Sequence, residues 1–271
     1  MSFEPLPDDL AAALAANASS LGAFADVRYV AEVDSTNDVA LALAAAGASE
    51  GTSVLADHQR RGRGRRGHEW FSPPGAGLYL SVIVRPDMPR GTSLLTLAAG
   101  MAMAEAVLGD TGLPVELKWP NDLVIGRPWR KLGGVLAETV SAGGRSDAVI
   151  IGLGLNVRHV VLPPDLAHRA SSLETELGRE IDRANLAVGL LDQLRGAMHL
   201  LRHDLRDAVI ARWRGLARAG LGGMVRWTDT TGERQGRAMD IDGEGALIVQ
   251  TSAGVERVIA GDVIWEAPIG G

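Results

Sequence analysis

The chain has 271 residues, 46% of them hydrophobic and 22% charged, which suits a globular protein able to bury a sizeable core in one large domain or in one plus a small appendage. A formal net charge of -6 argues against a surface built throughout for nucleic acid, and the lack of cysteine removes disulfides, thiolate metal sites and cysteine nucleophiles. Met1-Ser2-Phe3-Glu4-Pro5 is no basic leader before an apolar core, and no other run reads as long and apolar enough to span a bilayer, so the expectation is a cytoplasmic protein with no membrane partner.

In chain order, Asp8 to Ala18 reads as an alanine-rich helix with Asp8 and Asp9 as capping candidates. Val27 to Val33 is a strand. Asp34-Ser35-Thr36-Asn37 then opens an apolar helical run from Val39 to Ala46, where such residues cap the helix and its N-terminus aims donors at a ligand. Thr52 to Asp57 is a second strand, feeding the run D-H-Q-R-R-G-R-G-R-R-G-H-E-W from Asp57 to Trp70. Interleaved arginine and glycine can form neither a helix interior nor a packed strand, so this stretch is a loop. Glycine lets the backbone approach a ligand, and guanidinium groups are bidentate donors for phosphate or carboxylate. A solvated surface and a disordered RNA-binding segment are the competing readings. Against disorder, the run is short and framed by Val54-Leu55-Ala56 on one side and by Trp70-Phe71 and Leu78 to Val84 on the other. A basic loop on an acidic body favours a small anionic ligand.

Leu78 to Arg85 reads as a central strand, followed by a turn at Arg85-Pro86-Asp87-Met88-Pro89. Leu94, Leu97, Ala98, Met101 and Ala104 give a core-facing helix over Ser93 to Leu108. The strand Val115 to Trp119 breaks at Pro120, which presents Asn121 and Asp122 at a bend before Leu123 to Ile125; an ordinary turn explains that bend equally well. Lys131 to Glu138 reads as a buried strand whose Gly133-Gly134 implies close backbone approach, with Lys131 also readable as an edge gatekeeper. Trp129, in the preceding hairpin loop, has no assigned role. Ala148 to Val157 ends in Gly152-Leu153-Gly154-Leu155-Asn156, and a dinucleotide reading fails because Val157 stands where a third glycine belongs. A turn at 170–172 leads to a short helix, and Arg183 to Arg218 reads as one long helical region with His199 and His203 a turn apart on its surface. His58 reads as a structural histidine. After the linker Gly220-Leu221-Gly222-Gly223, short strands at Val225–Thr228, Gln235–Ile241, Ala246–Thr251, Val255–Ile259 and Val263–Glu266 predict a small all-β barrel.

Five of these segments, Ser35-Thr36-Asn37, Gly62-Arg63-Gly64-Arg65-Arg66-Gly67 between Gln59 and Trp70, Lys118 to Leu123, Lys131 to Glu138 and Gly152 to Asn156, resemble in order the motifs of the biotin–protein ligases and span residues 30 to 160. The resemblance implies an α+β fold: a mixed-sheet catalytic domain of the biotin/lipoate ligase type over residues 1–223, then an SH3-like β-barrel over 224–271. Because the first motif begins at Ser35, it points to the monofunctional type without an N-terminal DNA-binding domain and without specific DNA binding.

The implied reaction uses ATP and Mg²⁺ to convert biotin to biotinyl-5'-AMP and pyrophosphate, then passes biotin to a lysine of the biotin carboxyl carrier protein domain of a carboxylase. On the same resemblance Lys131, Arg65, Arg63 and Asp122 are catalytic. Lys131 contacts the carboxylate and then the transferring phosphoryl group, while Asp122 orients the acceptor lysine or takes its proton, since that amine has an unperturbed pKa of about 10.4. Ser35, Thr36, Asn37, Gln59, Gly62, Arg63, Gly64, Arg65, Lys131, Gly133, Gly134 and Gly154 are implied to hold biotin. Arg63, Arg65, Arg66, Trp70, Asn121, Lys131 and Asn156 are implied to hold the adenylate, and no residue is assigned to Mg²⁺. Two departures stand out: His68 replaces an arginine common in the family, which puts a phosphate contact in question at higher pH, and Arg60 and Arg61 replace small or polar residues. Lipoate–protein ligase is the rival within the fold, disfavoured by Gln59 and the arginine loop; a nucleic-acid-binding module is the rival outside it. The loop is expected to order over the adenylate and exclude water, and an exposed sheet edge would allow a homodimer or docking of the carrier.

Overall fold

Apolar runs alternating with leucine-striped helices place the chain in two sheets with helices packed between and around them. The fold is that of a computed structural model and is described for residues 2–85, 92–142, 145–218, 220–229, 232–259 and 263–266. Residues 86–89 of the expected turn lie outside that set.

The larger sheet is built from β1 (Val27–Val33), β2 (Ser53–Gln59), β3 (Gly77–Val84), β4 (Glu116–Lys118), β5 (Asp122–Ile125), β6 (Arg130–Ala142) and β7 (Arg145–Asn156) in the order β1-β2-β3-β7-β6-β5-β4. The β1/β2 pair is parallel and the remaining ladders are antiparallel, so the sheet is mixed, as expected. β3 lies at its heart, with all eight residues buried.

Helices cover both faces unequally. On one side lie α1 (Asp8–Leu21), α3 (Thr92–Thr111), α5 (Arg183–Arg202) and α6 (Arg206–Leu216), sharing one core with Leu78, Leu123, Leu132 and Leu155 of the sheet. On the other side α2 (Thr36–Ala45) covers the β1-β2-β3 end and the adjoining part of β7, packing Ala40 and Ala44 with Val30, Val54, Ile83, Ala148 and Ile150. The sheet beyond α2 is left open as a pocket floor.

Two expectations need correction. By length and composition α3 could cross a membrane, contrary to the reading that no segment could, yet Leu97, Met101 and Met103 are at most 1% exposed because the helix is the centre of the core. The single helical region expected over Arg183 to Arg218 is two helices. The chain turns at Asp204, which adopts a left-handed φ of 55°, and α6 sets out again at Arg206.

β8 (Met224–Asp229), β9 (Gly232–Ile241), β10 (Leu247–Thr251), β11 (Gly254–Val258) and β12 (Ile264–Trp265) form an antiparallel sheet in the order β11-β10-β9-β8-β12. The glycine-rich stretch before it is tied down rather than loose: Gly222 N donates to Ala238 O at 2.6 Å, and Ala238 N donates to Gly223 O at 2.9 Å. Trp119 joins the two sheets, its Nε1 donating to Gly245 O (3.0 Å) while its carbonyl accepts from Trp265 Nε1 (3.2 Å). A buried indole nitrogen needs such a partner, and here it fixes one sheet on the other.

Candidate active site

Residues directly opposite one another on paired strands share a face. The registers Lys118↔Asp122, Asp122↔Gly134, Gly134↔Gly154 and Gly154↔Tyr79 therefore make one row across five strands. That row, with Leu136 and Gly152 of the next row, floors a cavity of about 740 Å³ bordered by the α2 N-terminus, the arginine loop and the chain at 162–170. Glycine is needed on this floor because other groups lie against it. A Cβ on Gly154 would come within 2.6 Å of the Trp70 ring, and one on Gly152 within 2.4 Å of Asn37 Oδ1.

Lys131 reaches the same face through an irregularity. Strict alternation would set Lys131 opposite in sense to Gly134, but the pairing slips between Leu123 and Val124, so that Leu123 faces Gly133 and Val124 faces Lys131. The extra residue in β6 restores Lys131 to the pocket side. There Lys131 Nζ lies 2.5 Å from Asp122 Oδ1 and 5.1 Å from the centre of the Trp70 ring. Its backbone is held by the covering segment, with Lys131 N donating to Arg169 O and Ser171 N to Lys131 O. Asn156 Nδ2 fastens the same segment through Ser171 O.

At the other end Ser35, Thr36, Asn37 and Gln59 are all buried and interlocked. Gln59 Oε1 accepts from Thr36 N (2.9 Å) and Thr36 Oγ1 (3.1 Å), and Gln59 Nε2 donates to Ser72 Oγ (3.0 Å). Most of the Gln59 amide, expected to hold biotin, is thus committed to shaping the pocket, with one N–H left to offer a ligand. Ser81 Oγ sits 2.7 Å from Thr36 Oγ1 and 2.5 Å from Asn37 Oδ1. Burial pushes the Tyr79 hydroxyl well above the usual tyrosine range, so it stays protonated and donates to Pro73 O.

The arginine run is an ordered hairpin, not a tail. Trp70 N donates to Gly62 O, Gly64 N to His68 O and His68 N to Arg65 O, with Arg66 at a left-handed φ of 55° in the bend. Arg63, Gly64, Arg65, His68 and Trp70 line the pocket, and Arg65 Nη1 approaches Asn121 Oδ1 at 3.5 Å. Arg60 is drawn back to β1, with Nε 2.7 Å from Asp34 Oδ1 and Nη1 2.8 Å from Glu32 Oε1. His58 is likewise structural, its Nδ1 3.0 Å from Glu32 Oε2.

Three of the expected biotin or adenylate residues are placed elsewhere. Gly133 belongs to the opposite face, where a Cβ would meet Met103 Sδ of α3 at 2.7 Å; consecutive strand residues alternate, so Gly133 and Gly134 cannot both be floor. Gly62 packs into the hairpin base, 2.4 Å from Trp70 O at its Cβ position, and borders a second cavity on the outer side of the loop. Arg66 borders that outer cavity too.

The sequence reading passed over Lys118, Ser81, Glu138 and Trp129, which the structure brings to the pocket or its edge. Burial pushes the Lys118 ammonium below the usual lysine range, helped by Lys131 and opposed by Asp122. Trp129 lies under Arg127 (4.9 Å) and edge-on to Trp265 (5.9 Å), joining the pocket's outer end to the C-terminal sheet. Ser81 had a signal, being the lone polar residue in an otherwise apolar strand; Trp129 had none, because the contact that ties it to the second sheet, Trp265, lies 136 residues further on.

A mixed sheet carrying a glycine floor, a basic hairpin and a paired lysine and aspartate, followed by a small antiparallel sheet, defines a ligase of the biotin/lipoate type. The biotin/lipoate A/B protein ligase family model matches residues 29–156, and the biotin protein ligase C-terminal domain model matches residues 220–265. The biotin–[acetyl-CoA-carboxylase] ligase of Mycobacterium tuberculosis is 36% identical over 252 residues, covering 87% of this chain and 87% of that one. The bifunctional ligase/repressor BirA of Bacillus subtilis is 34% identical over 235 residues, covering 85% of this chain and 71% of that one. Among solved structures, the Aquifex aeolicus biotin protein ligase in complex with biotin and ATP superposes with a TM-score of 0.75 at 26% identity, covering 89% and 99% of the two chains. The chain belongs to the biotin protein ligase family, its C-terminal sheet being the family's SH3-like unit.

Proposed function

We propose that this pocket joins biotin to AMP and then hands the biotinyl group to a lysine of a biotin-dependent carboxylase's carrier domain. The carboxylate of biotin attacks the α-phosphorus of ATP, pyrophosphate leaves, and the acceptor amine attacks the resulting mixed anhydride to release AMP. A carboxylate is a poor acyl donor, so the first step supplies a leaving group, and the protein contributes charge neutralisation and positioning.

The observation that carries this reading is the cluster on the glycine floor: Lys131 at 2.5 Å from Asp122, with Arg65 beside Asn121. In this reading the α2 N-terminus with Ser35, Thr36 and Asn37 holds the polar head of biotin, and its ring system lies on Gly134 and Gly154. Lys131, Arg63 and Arg65 meet the carboxylate and the α-phosphate. Asn121, Asn156 and Trp70 hold the nucleotide. Lys118, which lies next to Asp122 across β4 and β5, adds a cation at the phosphate end. Asp122 is released from Lys131 when phosphate takes its place and is then free to receive the proton of the acceptor amine. Mg²⁺ would come in on the triphosphate and neutralise part of its charge. The enzyme acts in the cytoplasm, with no membrane or specific DNA partner.

Biotin-dependent ATP–pyrophosphate exchange tests this directly, run beside lipoate and acid-free controls. Exchange with biotin alone is expected, falling at least ~100-fold in Lys131→Ala and Arg65→Ala, as removal of a charge-stabilising donor does elsewhere. Exchange driven by lipoate would overturn the substrate, and exchange unchanged in both variants would overturn the site.

A further inference from the structure

Arg63 is expected to meet an anion, yet the structure already gives it two. Its Nη2 lies 2.7 Å from Asp38 Oδ1 on α2 and 2.9 Å from Glu138 Oε2 on β6. Glu138 Oε2 also accepts from Asn37 Nδ2 at 2.6 Å, so one carboxylate joins the arginine hairpin to the polar end of the pocket. Arg60, just before the hairpin, has its own acidic pair in Glu32 of β1 and the adjoining Asp34, and it does not line the cavity. Arg63 thus lines the pocket while balanced between two carboxylates on different elements.

We propose that Asp38 and Glu138 are exchangeable counter-ions of Arg63: the carboxylate and phosphate of the ligand displace them, and the two acids thereby set the apparent affinity of the site for its anion. This rests on the reaction proposed above. Asp38 and Glu138 both hold Nη2 of Arg63, and their negative charges repel an anion approaching the rest of the guanidinium, so a ligand phosphate that takes the Nη2 donors must displace them. Apparent affinity is the intrinsic affinity scaled by the fraction of molecules with Arg63 available. The pairs are partly exposed, at 39% for Arg63, 52% for Asp38 and 27% for Glu138, which makes them weak enough to break in each catalytic cycle. The design also ties loop release to pocket occupancy, because a ligand that draws Asn37 away from Glu138 loosens the same carboxylate that holds Arg63.

The test measures the dissociation constants of biotinyl-5'-AMP and of inorganic pyrophosphate, by tryptophan fluorescence or calorimetry, for the wild type, Asp38→Asn, Glu138→Gln and the control Asp34→Asn. Asp34→Asn removes an equal charge and an equivalent pair from Arg60. Asp38→Asn and Glu138→Gln are expected to tighten both ligands about 3- to 10-fold, in keeping with weak exposed ion pairs, and Asp34→Asn to leave them unchanged. In an Arg63→Ala background the gain should vanish, which a general electrostatic effect would not do. Unchanged or weakened binding in Asp38→Asn, or a gain that survives Arg63→Ala, would overturn the proposal. Failure of the wild type to bind biotinyl-5'-AMP would instead overturn the reaction, with the pyrophosphate arm still reading the counter-ion exchange.

Discussion

The same five strands carry two adjacent rows of residues with opposite uses. Lys118, Asp122, Gly134, Gly154 and Tyr79 face the pocket, while the next row, Leu117, Leu123, Gly133, Leu155 and Leu78, faces α3 and is buried to 2% exposure or less at each leucine. One row faces an open cavity, where its charges find partners such as the Lys131–Asp122 pair; the other is closed by α3. Gly133 and Gly134 show the contrast most sharply, since adjacent glycines in one motif serve a methionine of the core and a lysine of the site. A motif read as a string hides that division, and the pleat of the strand makes it.

The division can be broken or sharpened by substitution. The largest effect is expected from Gly154→Ala, which drives a methyl into the Trp70 ring. The variant should lose ~100-fold in kcat/KM for biotin, as misplacement in a site does, while its melting temperature stays within a few degrees of wild type. Gly133→Ala should do the reverse. Its methyl meets Met103 Sδ at 2.7 Å and Gly154 O at 3.0 Å, an overpacking cost of about 1–3 kcal/mol seen in thermal or urea unfolding, with KM for biotin unchanged in the folded fraction. Should Gly133→Ala raise KM for biotin as far as Gly154→Ala does, the two rows are not separate.

The smallest effect concerns Lys118, a charge held on the pocket row against its own desolvation. Its folded pKa is depressed, so below its unfolded value the charged lysine favours the unfolded chain. Lys118→Met is therefore expected to raise the melting temperature at pH 7, with the advantage shrinking as pH climbs toward the unfolded lysine pKa of about 10.4. The same variant should raise KM for ATP by ~10-fold, in line with losing a charged hydrogen-bonding partner. A variant both less stable and fully active would mean that Lys118 serves the fold rather than the nucleotide.

Much of the architecture was legible because local patterns carried it. The apolar run of β3, the leucine stripe of α3 and the short strands after Gly223 each announce an element from adjacent residues alone, since burial on a sheet or helix face imposes a period of its own. The arginine-glycine composition likewise marked a loop where an anion is expected, and the structure folds that loop as a hairpin at the pocket. Tertiary structure decided the rest. The slip opposite Leu123 and Val124 turns Lys131 to the pocket, and no count of alternating residues in β6 could reveal it, because the extra residue is defined only by the pairing with β5. Asp38 and Glu138 meet Arg63 only after α2, the hairpin and β6 have converged, and Trp129 meets Trp265 only once the second sheet is docked through Trp119. Residue type and spacing determined which elements form and which chemistry is on offer; the pairing of distant strands determined which face each residue takes and which charge stands beside it.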